Sequence, residues 1–241
     1  MNAIASQHLS RFWDLSEQLI AEVDARDGAQ PVRSSAWPTV ADVAAHVASV
    51  YQWASTVMIS TNEPVKRQED PLADPVHGLR QAREALWPAL QADAHCWILG
   101  GSTGTTSFWR RRMALETAKH LLDVRTRPEE RFAIPTQLDP ELAADGIDEF
   151  FSVFLARSRA TLAPLPGSIR LNAADAGRSW RLSPTWDIDE GSEADAAVDG
   201  DAAALLLMLW ERADAFGEPD RFTITGDVTV ARALVSAPIH L

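Results

Sequence analysis

The sequence predicts a mainly α-helical protein, with an antiparallel helical bundle over residues 1–163 followed by a small α+β domain over residues 164–241. In the first part of the chain, apolar residues recur every three to four positions, which is typical of amphipathic helices around a shared core. After the segment 164–167 the pattern changes to short alternating stretches, which favour strands. With 241 residues, the chain is long enough for two domains of this kind.

Five helices are predicted for the first domain, at about residues 5–26, 39–60, 75–92, 106–124 and 139–161. Thr39 and Asp42 have the spacing of a capping box at the start of the second helix. Pro88 should kink the third helix or mark its last turn. Asp139 and Pro140 open the fifth, with proline at the first helical position. The glycine-rich segment 93–106 reads as a flexible connection.

The second domain is predicted to contain short strands and two helices. A hairpin is expected around Gly177, because alternating segments flank this glycine on both sides. The remaining expected elements are a strand near 195–198, an apolar helix over 201–213, a strand at 221–225 and a last helix at 227–235.

Charge and composition exclude several classes of partner. The formal net charge is −12, so the surface should repel nucleic-acid phosphates and anionic membranes. The chain has one cysteine, Cys96, which cannot form an internal disulfide. It shows neither a secretory signal pattern nor an apolar run of membrane-spanning length. We therefore expect a cytoplasmic protein that binds neither nucleic acid nor membrane.

Three residues stand out as candidate metal ligands. His46 lies on the apolar face of the second helix, three residues after Val43 and four before Val50. Glu116 and His120 are four residues apart in the fourth helix, so both side chains leave the same face one turn apart. Burying a carboxylate is costly unless its charge is compensated. A divalent cation held by one carboxylate and two neutral imidazoles would compensate it and leave one coordination position open, the pattern of catalytic zinc.

Two simpler interpretations remain open from spacing alone. An inward histidine is often an ordinary hydrogen-bonded core residue, and a Glu–His pair four residues apart is often a surface pair. Asp123, three residues after His120, has two interpretations as well: it orients the imidazole of His120, or it is a solvated charge at a helix end.

Other chemistry-bearing residues give weaker signals. The run 110–112 of three arginines either attracts an anionic ligand or is a solvated helix start. The glycine-rich segment 100–104 lacks the following Lys-Ser/Thr of a phosphate-binding loop. Cys96 lies beside Trp97 in an apolar stretch and is expected to be packing.

Two stretches of the bundle have the character of motifs: residues 37–46, WPTVADVAAH, in and before the second helix, and residues 108–123, FWRRRMALETAKHLLD, in the fourth. They resemble the second-helix and fourth-helix motifs of the mycothiol-dependent maleylpyruvate isomerase family within the DinB-like metalloenzyme superfamily. The stretches 198–212 and 225–227 resemble its C-terminal domain. This resemblance implies a DinB-like four-helix bundle and a metal site formed by His46, Glu116 and His120.

The same resemblance implies a chemistry. A low-molecular-weight thiol, mycothiol in the family, would bind as thiolate to a divalent metal, most simply Zn²⁺, and attack an electrophilic carbon. The expected activity is that of an isomerase or S-transferase with a small electrophilic or acidic substrate. Arg212 corresponds to an arginine that holds the acidic substrate, although it could equally be an ordinary charge at a helix end. Two alternatives are a non-catalytic metal- or small-molecule-binding module and a metal hydrolase that uses bound water.

Overall fold

The computed structural model describes residues 3–34, 36–62, 64–67, 69–133 and 138–239. The chain divides into two compact units, Met1–Ala133 and Ile134–Leu241. The first is a bundle of four long helices, and the second combines helices with a five-stranded sheet. The fold class predicted from the sequence is therefore confirmed. Within the described part of the chain, no helix combines the length and the apolarity that crossing a bilayer requires.

The four bundle helices lie close to their predicted positions. They are α1 (Ala3–Asp24), α2 (Val40–Val57), α3 (Pro75–Gln91) and α4 (Thr106–Arg125). The main helix pairs are α1 with α4 and α2 with α3. Thr39 forms the predicted capping box, since its hydroxyl accepts from the backbone N–H of Asp42 at 3.2 Å and its own N–H donates to the Asp42 carboxylate at 3.1 Å. Pro88 lies in the last turn of α3, as expected.

The segment expected to be a flexible connection is instead a β-hairpin. Strand β1 (His95–Ile98) pairs antiparallel with β2 (Ser102–Thr105). Gly100 and Gly101 both have positive φ, 99° and 80°, which a tight turn requires and glycine adopts readily. The prediction of a flexible connection was wrong because these glycines form the tight turn of a hairpin.

The C-terminal unit is built around a sheet of five strands: β3 (Ile169–Ala173), β4 (Arg178–Leu182), β5 (Ile188–Asp189), β6 (Ala196–Asp199) and β7 (Thr223–Gly226). Their order in the sheet is β5-β4-β3-β6-β7. Strands β3 and β4 form the predicted hairpin, whose turn contains Gly177 at φ 60°. Strand β3 also pairs with β6 in parallel, while all other neighbours are antiparallel.

The helices of this unit are α5 (Pro140–Glu149), the short α6 (Ala156–Ser158), α7 (Ala202–Leu209) and α8 (Val228–Val235). A π-helical turn, Phe150–Leu155, joins α5 to α6. Every residue of α7 is buried. α7 ends at Leu209, four residues before its predicted end, because the backbone of Glu211 turns to φ 61° and cannot continue the helix.

The boundary between the two compact units lies at 133/134, about thirty residues before the boundary predicted at 163/164. The reason is that α5 belongs to the C-terminal unit: it packs against α7, with Leu142, Ala143 and Ile147 buried. The prediction placed the boundary where helical periodicity gives way to alternation. Periodicity identifies the type of an element but not the core into which that element packs.

Candidate metal centre

The two helices α2 and α4 bring the three candidate ligands together inside the N-terminal unit. His46 is 3% exposed, Glu116 5% and His120 0%. The Nε2 atom of His46 lies 3.2 Å from Oε1 of Glu116, and the Nε2 atom of His120 lies 3.3 Å from the same oxygen. One potential ligand atom from each residue falls within 4.8 Å of the other two. Two imidazoles and a carboxylate therefore converge on one small buried volume.

Asp123 faces the other side of His120. Its carboxylate accepts a hydrogen bond from Nδ1 of His120 at 3.0 Å, and its side chain is fully buried. Asp123 therefore orients the imidazole and is not a solvated charge at the helix end. Because an ionised carboxylate can only accept, Nδ1 of His120 carries a proton, and Nε2 is the nitrogen that faces Glu116 and His46.

Arg112 faces the second oxygen of Glu116. One guanidinium nitrogen donates to Oε2, while Oε1 faces the histidines. Arg110 is also buried, and it donates to the backbone carbonyl of Leu90 at 2.6 Å and to that of Ala92 at 2.9 Å. It thereby satisfies carbonyls left open at the end of α3. These two arginines are thus neither a solvated helix start nor a free anion-binding cluster.

An aromatic side chain lies against both imidazoles. The ring centroid of Trp37 is 3.7 Å from that of His46, and it is 5.0 Å from that of His120 at a nearly perpendicular angle of 87°. The indole Nε1 donates to Oε1 of Glu69 at 2.9 Å, and Oε2 of Glu69 in turn lies 3.0 Å from Nδ1 of His46. Trp37 therefore packs on the histidine pair and also holds a carboxylate beside it.

The electrostatics of the cluster favour a neutral imidazole beside an ionised carboxylate. Burial lowers the pKa of His46, and the neighbouring His120 lowers it further, against the opposing effect of Glu116. Burial alone would raise the pKa of Glu116. The charge of Arg112 and the contacts with both histidines hold that pKa well below its usual range. These are the protonation states that metal ligands require.

The residues present fit a divalent metal ion. Nε2 of His120 is buried and lies 3.3 Å from Oε1 of Glu116, but it makes no hydrogen bond of acceptable geometry with any described residue, so this nitrogen is available to a ligand in the cluster. Two imidazole nitrogens and one carboxylate oxygen form a donor set that suits zinc, and three protein ligands leave one tetrahedral position open.

The comparisons with known proteins identify the family. The model described as mycothiol maleylpyruvate isomerase N-terminal domain matches residues 9–125, and the MDMPI C-terminal domain model matches residues 141–233. The chain belongs to the mycothiol-dependent maleylpyruvate isomerase family. The resemblance noted in the sequence is thereby confirmed over nearly the whole chain. No curated protein matches it.

Solved structures of mycothiol-dependent maleylpyruvate isomerase share this fold. One structure superposes with a TM-score of 0.61 at 16% identity, covering 95% of this chain and 98% of that one. A point-mutant structure gives a TM-score of 0.63 at 14% identity over the same shares. The TM-scores establish that this chain shares the fold of these structures. Because the identities are low, the reaction has to be argued from the residues of this chain.

Arg212, the proposed substrate-binding arginine, lies in the C-terminal unit just after α7. Its backbone N–H donates to the carbonyl of Leu207 at 2.7 Å, and its guanidinium donates to the carbonyl of Trp210 at 2.6 Å. Arg212 therefore lies beyond the end of α7. The prediction that placed it in the last turn of this helix was wrong. Its role toward a substrate stays a prediction.

Sequence reasoning missed Glu69 and Arg67, which both contact His46. They lie in the loop after α2, whose prolines and charges suggested only a solvated connection. Nothing in their spacing pointed to His46, because that contact depends on the path of the loop in three dimensions. The motif WPTVADVAAH did contain Trp37, but only the structure shows this indole against the histidines.

Proposed function

We propose that this chain is a metal- and mycothiol-dependent isomerase or S-transferase that acts on a small electrophilic substrate, as its family name suggests. The observation that supports this proposal is the convergence of His46, Glu116 and His120 on one buried volume with a coordination position to spare. Membership of the family supports a thiol as the occupant of that position.

The metal would be zinc, held by Nε2 of His46, Nε2 of His120 and Oε1 of Glu116. When bound there, zinc lowers the pKa of a thiol, so that the thiol is present as the nucleophilic thiolate at neutral pH.

The remaining residues of the cluster prepare this site. Asp123 holds His120 with its Nε2 lone pair directed at the metal position. Arg112 engages Oε2 of Glu116 and leaves Oε1 for the metal. Trp37 covers the histidine rings and excludes water from that side. Each of these contacts is made by the chain's own residues, and together they would hold the ligand atoms in position for a metal.

Charge matching supports an anionic thiolate and substrate in this site. Glu116 and Asp123 together carry two negative charges, and Arg112 carries one positive charge. A zinc ion makes the local sum +1, which favours an incoming anion. For the carboxylate of an acidic substrate, Arg212 is the proposed partner, because a guanidinium grips a carboxylate by two parallel hydrogen bonds. The cytoplasm remains the expected compartment, because it keeps small thiols reduced.

The proposal is tested with zinc-loaded protein assayed on maleylpyruvate and on generic electrophiles, with and without mycothiol. We expect turnover only with the thiol, and loss of both zinc and turnover in His46→Ala and His120→Ala. His77→Ala is the matched control, because His77 is exposed on α3. Equal rates with and without thiol would contradict the proposal and indicate a hydrolase. Stoichiometric zinc without any turnover would indicate a binding module.

A further inference from the structure

The Nδ1 atom of His46 has two neighbours from the loop between α2 and α3. One is a hydrogen-bond acceptor and the other is a hydrogen-bond donor. Oε2 of Glu69 lies 3.0 Å away and, in an ionised carboxylate, can only accept a hydrogen bond. One terminal guanidinium nitrogen of Arg67 lies 3.2 Å from the same atom and can only donate. A neutral imidazole has one proton to place, so the two contacts belong to different tautomers.

Only one of these tautomers can bind a metal through the atom that faces the cluster. If Nδ1 carries the proton and donates to Glu69, Nε2 presents a lone pair toward Glu116 and His120. If Nδ1 accepts from Arg67, the proton lies on Nε2, and that atom donates to Glu116 at 3.2 Å and cannot coordinate. The loop therefore holds both a residue that favours the metal-binding form of His46 and a residue that opposes it.

The surrounding contacts keep both loop residues in place. Trp37 donates to the other oxygen of Glu69 at 2.9 Å, which directs Oε2 at His46. Arg67 donates to the hydroxyl of Ser49 at 2.9 Å and lies 3.6 Å from Glu69. Both loop side chains are about one-third exposed, whereas His46 is buried, so changing either one leaves the helical core untouched.

The two histidines consequently differ. His120 has its tautomer set within its own helix, because Asp123 lies one turn further along α4. His46 has no such residue on α2, and a loop residue takes that role. We propose that Glu69 is a positioning residue that holds His46 in its metal-binding tautomer, and that Arg67 favours the opposite tautomer. This inference rests on the metal site proposed above.

The experiment compares zinc affinity in Glu69→Ala, Glu69→Gln and Arg67→Met, measured by competition with a chromophoric chelator. Glu69→Ala should bind zinc about 10- to 100-fold more weakly, the usual effect of removing a carboxylate behind a metal-bound histidine. Glu69→Gln should lose less, because its amide oxygen still accepts a hydrogen bond. Arg67→Met should bind zinc as tightly as the parent or more tightly. Asp70→Ala, which removes an exposed charge from the same loop, is the matched control.

A second measurement separates positioning from a general effect of charge. The ¹⁵N chemical shifts of His46 in the metal-free protein report its tautomer. Glu69→Ala should shift the population toward protonated Nε2, and Arg67→Met toward protonated Nδ1, with the thermal stability of the metal-free protein unchanged. A loss of less than threefold in zinc affinity for Glu69→Ala, or a tautomer population that is the same in both variants, would overturn the inference. If the parent protein bound no zinc, the proposed function would fail, and the tautomer populations would still decide the pairing of Glu69 and Arg67.

Discussion

The two carboxylate oxygens of Glu116 have different neighbours. Oε1 faces the two imidazoles, and Oε2 faces the guanidinium of Arg112. Without that cation, the buried carboxylate would be costly in the metal-free protein, and its pKa would rise. The pairing therefore lets the site exist in the folded protein before any metal arrives.

The prediction at the residue scale concerns Arg212. Lysine keeps the charge at this position but loses the planar pair of donors that a carboxylate requires. Arg212→Lys should therefore raise the KM for an acidic substrate about tenfold, equivalent to roughly 1.4 kcal/mol of binding free energy. Zinc content and thermal stability should stay as in the parent. Arg159→Lys, a change at an exposed arginine of the same unit, is the control. An unchanged KM would show that Arg212 does not hold the carboxylate of the substrate.

For single residues, the sequence predicted which side chains share a helix face, but it missed a contact between residues far apart in the chain. Glu116, His120 and Asp123 follow from helical spacing, because positions three and four apart share a face. His46 followed from its apolar neighbours on α2. Glu69 did not, since its contact with His46 joins a loop to a helix and no periodicity describes it.

At the scale of elements, the end of α7 shows how a helix can stop at an unfavourable residue. The N–H of Glu211 donates to the carbonyl of Met208 at 3.0 Å, and the N–H of Arg212 to that of Leu207 at 2.7 Å. These two bonds form a Schellman motif, whose left-handed position glycine normally fills. Here Glu211 fills it at φ 61°.

Glu211→Gly should therefore stabilise the protein. A non-glycine residue in the left-handed region costs about 1 kcal/mol, and the gain is reduced because glycine also makes the unfolded chain more flexible. We expect the free energy of unfolding in urea to rise by about 0.5 kcal/mol. Glu211 is exposed, so the change removes no core packing. A fall in stability would show that the glutamate side chain compensates for its backbone strain.

A second prediction concerns Glu22, which links α1 to α4. Arg125 donates to it from α4 at 2.6 Å, and Arg26 donates from just beyond the C-terminal end of α1. Partial burial raises the pKa of Glu22, but the two arginines more than offset this and lower it below its ordinary value of 4.5. The ion pairs thus stabilise the fold fully above that ordinary value, and the stabilisation is lost as pH falls through the lower folded pKa.

Glu22→Gln should accordingly cost about 0.5–1 kcal/mol at pH 7, a value kept small because the site is partly solvated. The cost should disappear toward acidic pH. Urea unfolding of the parent and the variant between pH 7 and pH 3 measures the difference. Glu84→Gln, at an exposed position of α3, is the control variant measured in the same series. A cost for Glu22→Gln that stays constant with pH would show that the carboxylate charge does not carry the interaction.

For the whole molecule, the sequence predicted the succession of helices and strands better than their grouping. Helices α1 to α4 and the strands β3, β4, β6 and β7 follow from periodicity, whereas the two-residue strand β5 and the order of strands in the sheet do not. The hairpin β1–β2 and the placement of α5 do not, because both depend on what the element packs against. In particular, α5 has the same amphipathic signature as the bundle helices, and only its contact with α7 assigns it to the second unit.

Metal loading should stabilise the whole molecule by mass action. A ligand that binds only the folded state at 100 times its dissociation constant adds about 2.7 kcal/mol. Adding zinc to chelator-treated protein should therefore raise the melting temperature in differential scanning calorimetry. The His77→Ala control should show the same rise, and His120→Ala should show none. A rise that persists in His120→Ala would mean that zinc binds elsewhere.

The division into two compact units also has a consequence for protein synthesis. Every residue of the metal cluster, together with Trp37, Glu69 and Asp123, lies within the first unit, Met1–Ala133. The second unit, Ile134–Leu241, requires 108 more residues (241 − 133), or roughly 5–20 s of translation at 5–20 residues per second. The nascent chain therefore holds its complete set of metal ligands for several seconds before the ribosome has finished the second unit, and zinc supplied in that interval would act on a half-made protein.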